Sequence, residues 1–344
     1  MIRCKICMMT DQRLNLQIDE EGVCNSCRQF EHLQNVDWSK RWLELDEKCN
    51  KYRKRDGSYD CIIAVSGGKD SYFQVNLFKE LLGMHPLGIM IDNSSWTETG
   101  RKNFYNLSER YDMDILTFTP SRKKMKARTR EDFLTKCHPN IYWDEVLYRK
   151  PLELAQKLGI KLVIWGEDTN LFVGNGEAKE TPNAKRLIPD PENFEDLEVI
   201  FTSYYVPWDR FENVRIAKLN GFKGFLETGE WKRGGFIEMF EDEQVDTIGY
   251  LVAQYTKFIK FGYSTMTELC SNAIRSGKMT REEALEVVKD KDWWLDVKME
   301  KDFCEFTGIT EKRFWEIIDK FANKDLLVKR DCVPLMWRLK NDAV

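Results

Sequence analysis

Residues Tyr59–Phe73 read YDCIIAVSGGKDSYF. The apolar run Cys61, Ile62, Ile63, Ala64, Val65 stops at Ser66-Gly67-Gly68-Lys69-Asp70-Ser71. Apolar residues then recur at helical spacing through Phe73, Leu77, Phe78 and Leu81, up to a stop at Gly83. The order is strand, small-residue loop, helix, which aims backbone N–H groups and a helix N-terminus at an anion. Gly67 and Gly68 allow close approach of the backbone to a phosphate, Ser66 and Ser71 add hydroxyls, Lys69 adds a cation, and Asp70 can hold a metal. The stretch predicts a nucleotide phosphate site.

Downstream, the alternation continues. Leu87–Ile91 reads as a strand ending at Asp92-Asn93, Thr99–Tyr111 as a helix, Asp114–Phe118 as a strand and Val146–Leu158 as a helix stopped by Gly159. Strand Leu162–Trp165 then ends in Gly166-Glu167-Asp168. Strands alternating with helices predict βαβ units, hence a doubly wound, mostly parallel α/β sheet. Ligands of such sheets bind beyond the carboxyl ends of the strands. Ser66–Ser71, Asp92-Asn93 and Gly166–Asp168 are therefore expected to converge on one crevice.

Upstream, Cys4-x-x-Cys7 and Cys24-x-x-Cys27 are separated by sixteen residues. Two CxxC knuckles at this separation fit a tetrahedral structural zinc site, and Gly22 suits the turn before the second. A redox disulfide or an iron–sulfur site is the alternative. So short a segment has little core of its own, and a metal would supply its folding energy. Between Glu31 and Arg55, charged residues with scattered aromatics (Trp38, Trp42, Tyr52) suggest a connecting helix, with the two tryptophans packing on the main domain.

At 344 residues the chain is long enough for two domains, at roughly one per 150 residues. A net charge of −4 and a pI near 5.7 speak against a protein that coats nucleic acid. No apolar run approaches the ~20 residues that span a bilayer. The opening MIRCKICMM lacks the apolar core of a signal peptide, so the expected location is cytoplasmic. The six cysteines outside the CxxC pairs are scattered singly and read as small buried apolar residues.

The basic run Arg122, Lys123, Lys124, Lys126, Arg128, Arg130 is either an anion-meeting loop or a solvated helix face. The acidic stretch Asp190–Glu198 reads as a surface loop stiffened by Pro189 and Pro191. Beyond about residue 205 the pattern turns helical. Ile248, Leu251, Val252, Tyr255, Phe258 and Ile259 form one stripe, Thr280–Glu283 fits a capping box, and Thr310 can cap a last helix carrying Phe314, Ile317, Ile318 and Phe321. The organisation read from the sequence is a zinc-ribbon-like element over 1–30, a connecting helix over 31–57, a nucleotide domain over 58–220 and a helical region over 221–344.

SGGKDS is not a Walker loop. With its preceding strand and following helix it resembles the PP-loop of the ATP pyrophosphatases. Further stretches resemble the N-acetyl sugar amidotransferases of that superfamily: the opening CxxC with GVCNSC, LVIWGED at 162–168, YYVPWD at 204–209, KFIKFGY at 257–263 and GKMTREEAL at 277–285. The similarity runs over roughly residues 1–325. Relatives often show two cysteines before a histidine near 134–141, where this chain has only Cys137-His138.

The resemblance implies an ATP-dependent enzyme of surface glycan biosynthesis, such as lipopolysaccharide O-antigen. It would adenylate an N-acetyl group and replace its oxygen with ammonia to give an acetamidino sugar, releasing AMP and pyrophosphate. It further implies Mg²⁺, a separate glutaminase supplying ammonia, and no nucleic-acid partner. Carried onto this chain, Ala64, Ser66, Gly67, Gly68, Lys69, Asp70, Ser71, Asp92 and Gly166 would bind the nucleotide. Lys69, Asp70 and Glu167 would act in catalysis, with Asp70 and Glu167 on Mg²⁺. His138, Lys257 and Lys260 would meet the sugar or its phosphate, although a lone histidine is more often structural and the lysines fit a solvated helix face equally well. Cys4, Cys7, Cys24 and Cys27 would hold zinc. The rival reading is a PP-loop tRNA thiolation enzyme, which needs sulfur-carrying cysteines or a cluster near the loop, and an RNA surface.

Overall fold

The computed structural model describes residues 1–167, 181–187, 190–231, 239–330 and 336–340. Its centre is a five-stranded parallel sheet of β1 (Cys61–Ala64), β2 (Pro86–Ile91), β3 (Ile115–Phe118), β4 (Leu162–Trp165) and β5 (Glu198–Phe201), in the order β3-β2-β1-β4-β5. Period-two alternation sends Cys61 and Ile63 of β1 and Leu162 and Ile164 of β4 to one face, and Ile62 and Val163 to the other. Helices cover both faces, so every strand of the interior is apolar on both sides. The chain adds β2 and β3 on one side of β1, then β4 and β5 on the other. That reversal leaves an open crevice at the carboxyl ends of β1 and β4.

The helices include α1 (Asn25–Leu33), α2 (Trp38–Tyr52), α3 (Lys69–Val75), α4 (Glu98–Tyr111), α5 (Arg122–Lys136), α6 (Ile141–Leu158) and α7 (Arg210–Leu219). A second set follows: α8 (Ile248–Phe261), α9 (Thr265–Arg275), α10 (Arg281–Lys291), α11 (Val297–Thr307) and α12 (Glu311–Phe321), then a hairpin β6 (Leu327–Arg330) and β7 (Met336–Leu339). Thr280 and Glu283 form the expected capping box of α10, and Thr310 accepts from Arg313 N at the start of α12. The core on one sheet face runs without interruption into α8, α9, α11 and α12.

Several expectations are amended. Leu81 is 64% exposed, whereas Leu82 is buried. After Val75 the helix winds as a π-helix over Asn76–Leu81, and the wider turn carries Leu81 off the stripe. The basic run is the solvated face of α5, whose buried side is Met125, Thr129 and Phe133. The acidic segment ends in an extra strand, β5, since Glu198 is at once its first residue and the partner of Lys48 and Tyr52 on α2. Trp42 packs against the main core as expected. No helix among the described residues is long and apolar enough to cross a membrane.

Candidate functional site: a nucleotide-sized cavity at the β1–β4 crevice

The crevice holds a cavity of about 350 Å³, and its lining includes Ala64, Ser66, Gly68, Lys69, Asp70, Ser71, Asn93, Gly166 and Glu167. Ends of three strands thus meet here, as the crevice rule requires. The loop after β1 is braced from within: Ser71 Oγ accepts from Ser66 N at 2.8 Å, and Ser66 Oγ accepts from Gly68 N at 3.1 Å. The two serines therefore shape the loop first and are available to a ligand second.

The two glycines have different tasks. A Cβ on Gly67 would lie 2.0 Å from the carbonyl oxygen of Gly100 at the start of α4, whereas one on Gly68 would meet only Ser66 Oγ at 3.3 Å. Gly67 lets the loop press against α4, and Gly68 is the glycine that faces the cavity. Gly100 is itself pressed on Asp246, with its added Cβ 2.5 Å from Asp246 Cα. Loop, α4 and the approach to α8 form a three-layer backbone stack.

Lys69 is buried and donates to Asp70 Oδ2 at 2.9 Å and Glu243 Oε2 at 3.1 Å. Burial works against its ammonium, but Asp70 and Glu243 outweigh it and hold the pKa above the ordinary lysine value. Arg210, the first residue of α7, pairs through Nε with Glu243 Oε1 at 3.4 Å, and its buried Nη1 has no partner. Asn213, one turn on, donates to Asp70 Oδ1 at 2.8 Å. Burial opposes the Asp70 charge, yet Lys69 and Asn213 keep its carboxyl below the usual range. Glu167 is pushed up by burial and by the charge of Asp70, and Asp246 is pushed up by burial against a supporting hydrogen bond from Ser66. With Asp242, the site sets two cations against five carboxyl groups, a balance that accommodates a polyanion together with a divalent cation.

The remaining expected residues fall elsewhere. Asp92 accepts from Ser94 N and Trp96 Nε1 through Oδ1, at 2.7 and 2.8 Å, and so holds the turn after β2, while its neighbour Asn93 lines the cavity. Lys257 donates to Glu268 at 2.7 Å, in a pair completed by Arg13. Lys260 is half-buried, its pKa lowered by burial and by Lys257, and His138 is pushed down to about 4 by burial and by Lys260 and Lys257. None of these three lines the cavity. Asp168 lies outside the described residues. Glu243, Asp246, Arg210, Asn213, Gln74 and Tyr250 belong to the site without having been expected. YYVPWD stands directly before Arg210 in the sequence and could have pointed to α7.

At the other end of the molecule, Cys4, Cys7, Cys24 and Cys27 are buried, and their four sulfurs lie within 4.8 Å of one another. The separations Cys4–Cys27 of 3.9 Å and Cys7–Cys24 of 3.6 Å fit thiolates around one tetrahedral ion, for which Zn–S bonds of ~2.3 Å give an S···S edge of roughly 3.8 Å. The element rests on the C-terminal helices: Met8 N donates to Ser271 Oγ at 3.1 Å, and Tyr263 packs among the cysteines.

Fold and site together define an α/β protein with a parallel sheet and a small-residue loop at its crevice. Residues 198–341 match the family model of the LPS biosynthesis protein WbpG-like, C-terminal domain. The uncharacterized protein MJ1599 of Methanocaldococcus jannaschii is 23% identical over 291 residues, covering 82% of this chain and 91% of that protein. Among solved structures, NMN synthetase from Francisella tularensis is 13% identical at a TM-score of 0.37, covering 79% of this chain and 91% of that one. The U34-tRNA thiolase NcsA from Methanococcus maripaludis with its [4Fe-4S] cluster is 17% identical at a TM-score of 0.34, with coverage of 65% and 74%.

Proposed function

We propose that this chain is an ATP-dependent amidotransferase that adenylates the N-acetyl group of a sugar and exchanges its oxygen for ammonia, in surface glycan biosynthesis. The observation that carries the reading is the cavity at the β1–β4 crevice, where Lys69 and Arg210 stand among five carboxyl groups beside the Ser66–Ser71 loop. An amide oxygen is a poor leaving group, and adenylation makes it a good one. The α-phosphate would be attacked by the amide oxygen while Lys69 and the unpartnered Nη1 of Arg210 take up charge on the departing pyrophosphate. Asp70 and Glu167 would hold Mg²⁺, which neutralises phosphate charge when bound; the mutual repulsion that raises Glu167 is what such a cation relieves. The WbpG-like match supports the glycan context.

Ammonia would come from a separate glutaminase. The thiol cluster would hold a structural zinc, because one tetrahedral ion matches the short sulfur separations, whereas each thiolate of a cubane stands on its own iron. A thiolation chemistry would want a cysteine at the nucleotide, and among the described residues no cysteine lines the cavity. The test offers ATP, Mg²⁺ and ammonium chloride with free and UDP-linked N-acetylhexosamines, against bulk tRNA with sulfide. Sugar-dependent AMP and pyrophosphate, with a product lighter by the difference between O and NH, is expected. Turnover with tRNA and sulfide alone would sink the reading.

A further inference from the structure

We propose that Tyr250 donates a hydrogen bond to the reacting oxygen of the amide substrate, and that Trp143 and Asp144 decide when its hydroxyl hydrogen is free to do so. The inference rests on the amide-activating reading above. Tyr250 stands in the first turn of α8 and lines the cavity beside Trp143 and Tyr148 of α6. Its oxygen is held at two points. Trp143 Nε1 donates to it at 3.2 Å, and it donates to Asp144 Oδ1 at 3.3 Å.

An indole N–H can only donate, so one lone pair of the Tyr250 oxygen is taken in every state. The other partner is a carboxyl group, which can exchange roles. As a carboxylate, Asp144 accepts, and the Tyr250 hydrogen points away from the cavity. As a carboxylic acid, Asp144 donates to the second lone pair of Tyr250, and the hydroxyl hydrogen is released toward the cavity. The surroundings favour the acid. The groups acting on this pair are Tyr148 on α6 and Asp246 ahead of α8, one neutral and one acidic, and among the described residues no cation acts on Asp144. Burial accordingly lifts the Asp144 carboxyl to about 7, against the hydrogen bond from Tyr250. The phenol of Tyr250, pushed far above its usual range by burial and then by Asp144, keeps its proton throughout.

Such a donor has a definite use. In the second half of the reaction, ammonia forms a C–N bond while the C–O bond to the adenylyl group breaks, and that bond's electron pair leaves on the oxygen with AMP. A fixed hydroxyl donor aimed at this oxygen stabilises the charge it gains. Tyr250 transfers no proton in the step. Tyr250 is thus a catalytic residue, and Asp144 positions it.

The experiment measures amidine formation by mass spectrometry from pH 6 to 8.5 with UDP-linked N-acetylhexosamines, at constant free ammonia. It compares the full chain with Tyr250→Phe and Asp144→Asn, with ATP affinity as the control for folding. The wild-type rate is expected to fall with rising pH, by roughly thirtyfold across this range, the ratio of protonated Asp144 fractions for a group near 7. Tyr250→Phe is expected to lower the rate by about 10²-fold and to lose the pH dependence while still binding ATP. Asp144→Asn, whose amide donates at every pH, flattens the profile, an outcome that a purely structural role would not produce. An Asp144→Asn enzyme inactive at every pH would make Asp144 a general base and overturn the proposal, as would a Tyr250→Phe enzyme of undiminished rate. Wild type without sugar-dependent AMP overturns the amide reading itself, and this proposal with it.

Discussion

Glu268 on α9 joins the cysteine element to the C-terminal helices, and its removal has a calculable effect. Its carboxylate accepts from Arg13 Nη1 at 2.5 Å and from Lys257 Nζ at 2.7 Å, with side-chain exposures of 12% for Glu268, 8% for Arg13 and 28% for Lys257. Burial disfavours the charge, but Lys257 and Arg13 reverse that and hold the carboxyl at about 2, against an ordinary 4.5. At neutral pH this difference favours the folded state by about 3 kcal/mol. Because the folded-state value is the lower one, the contribution is complete above the unfolded value near 4.5 and is lost as the pH falls through about 2. Glu268→Gln keeps the shape and leaves two cations facing each other, which is expected to cost about 3–5 kcal/mol at pH 7. Urea unfolding followed by tryptophan fluorescence gives the difference between the two proteins. The gap should shrink by about half near pH 3, where wild type has itself lost part of the interaction. A variant within about 1 kcal/mol of wild type at pH 7, or a gap indifferent to acid, would refute the reasoning.

Other expectations follow from the same coordinates. Gly67→Ala, whose Cβ would lie 2.0 Å from the Gly100 carbonyl oxygen, should abolish nucleotide binding by displacing the loop, whereas Gly68→Ala should weaken it by no more than about tenfold in a titration with ATP. Stripping the metal with a chelator, or Cys24→Ser, should unfold residues 1–30 ahead of the rest, seen as early cleavage there in limited proteolysis; a colourless holoprotein with one zinc per chain by elemental analysis is expected. Lys260→Met should raise stability by about 1 kcal/mol in urea, since this half-buried lysine, with its pKa lowered by burial, pays for desolvation beside Lys257.

The parallel sheet was legible because β1, β2 and β4 are short apolar runs closed by small or acidic residues, and strand β4 falls on Leu162–Trp165 as read. β5 was hidden by its opening Glu198, an acidic residue that reads as loop until its partners Lys48 and Tyr52, about 150 positions away, are in place. The loop half of the site was legible for the same local reason: strand, loop and helix are contiguous. Glu243, Asp246 and Tyr250 were not, because they reach the loop only through tertiary packing of the segment before α8 against α4, held by the Thr97 hydroxyl on the Val245 carbonyl and by the Trp96–Thr247 bridge. Asp92 shows what a strand-end carboxylate hides from the sequence. A carboxylate at a strand end looks like a ligand for the nucleotide, yet its oxygens are spent on Ser94, Trp96 and Thr119.

The stack of Gly67 on Gly100 and of Gly100 on Asp246 has a consequence for how such a chain can diversify. Three segments distant in sequence meet there backbone to backbone, with no side chain between them to absorb a change of spacing. The helical half is therefore not a cassette that could be exchanged for another while the nucleotide loop stays as it is. A chimaera joined near residue 220 would inherit the loop from one parent and Glu243, Asp246 and Tyr250 from the other, and would assemble its cavity only if both parents kept the same separation at this seam. New substrate specificities are then expected to arise by substitution within an intact frame, and not by recombination between halves.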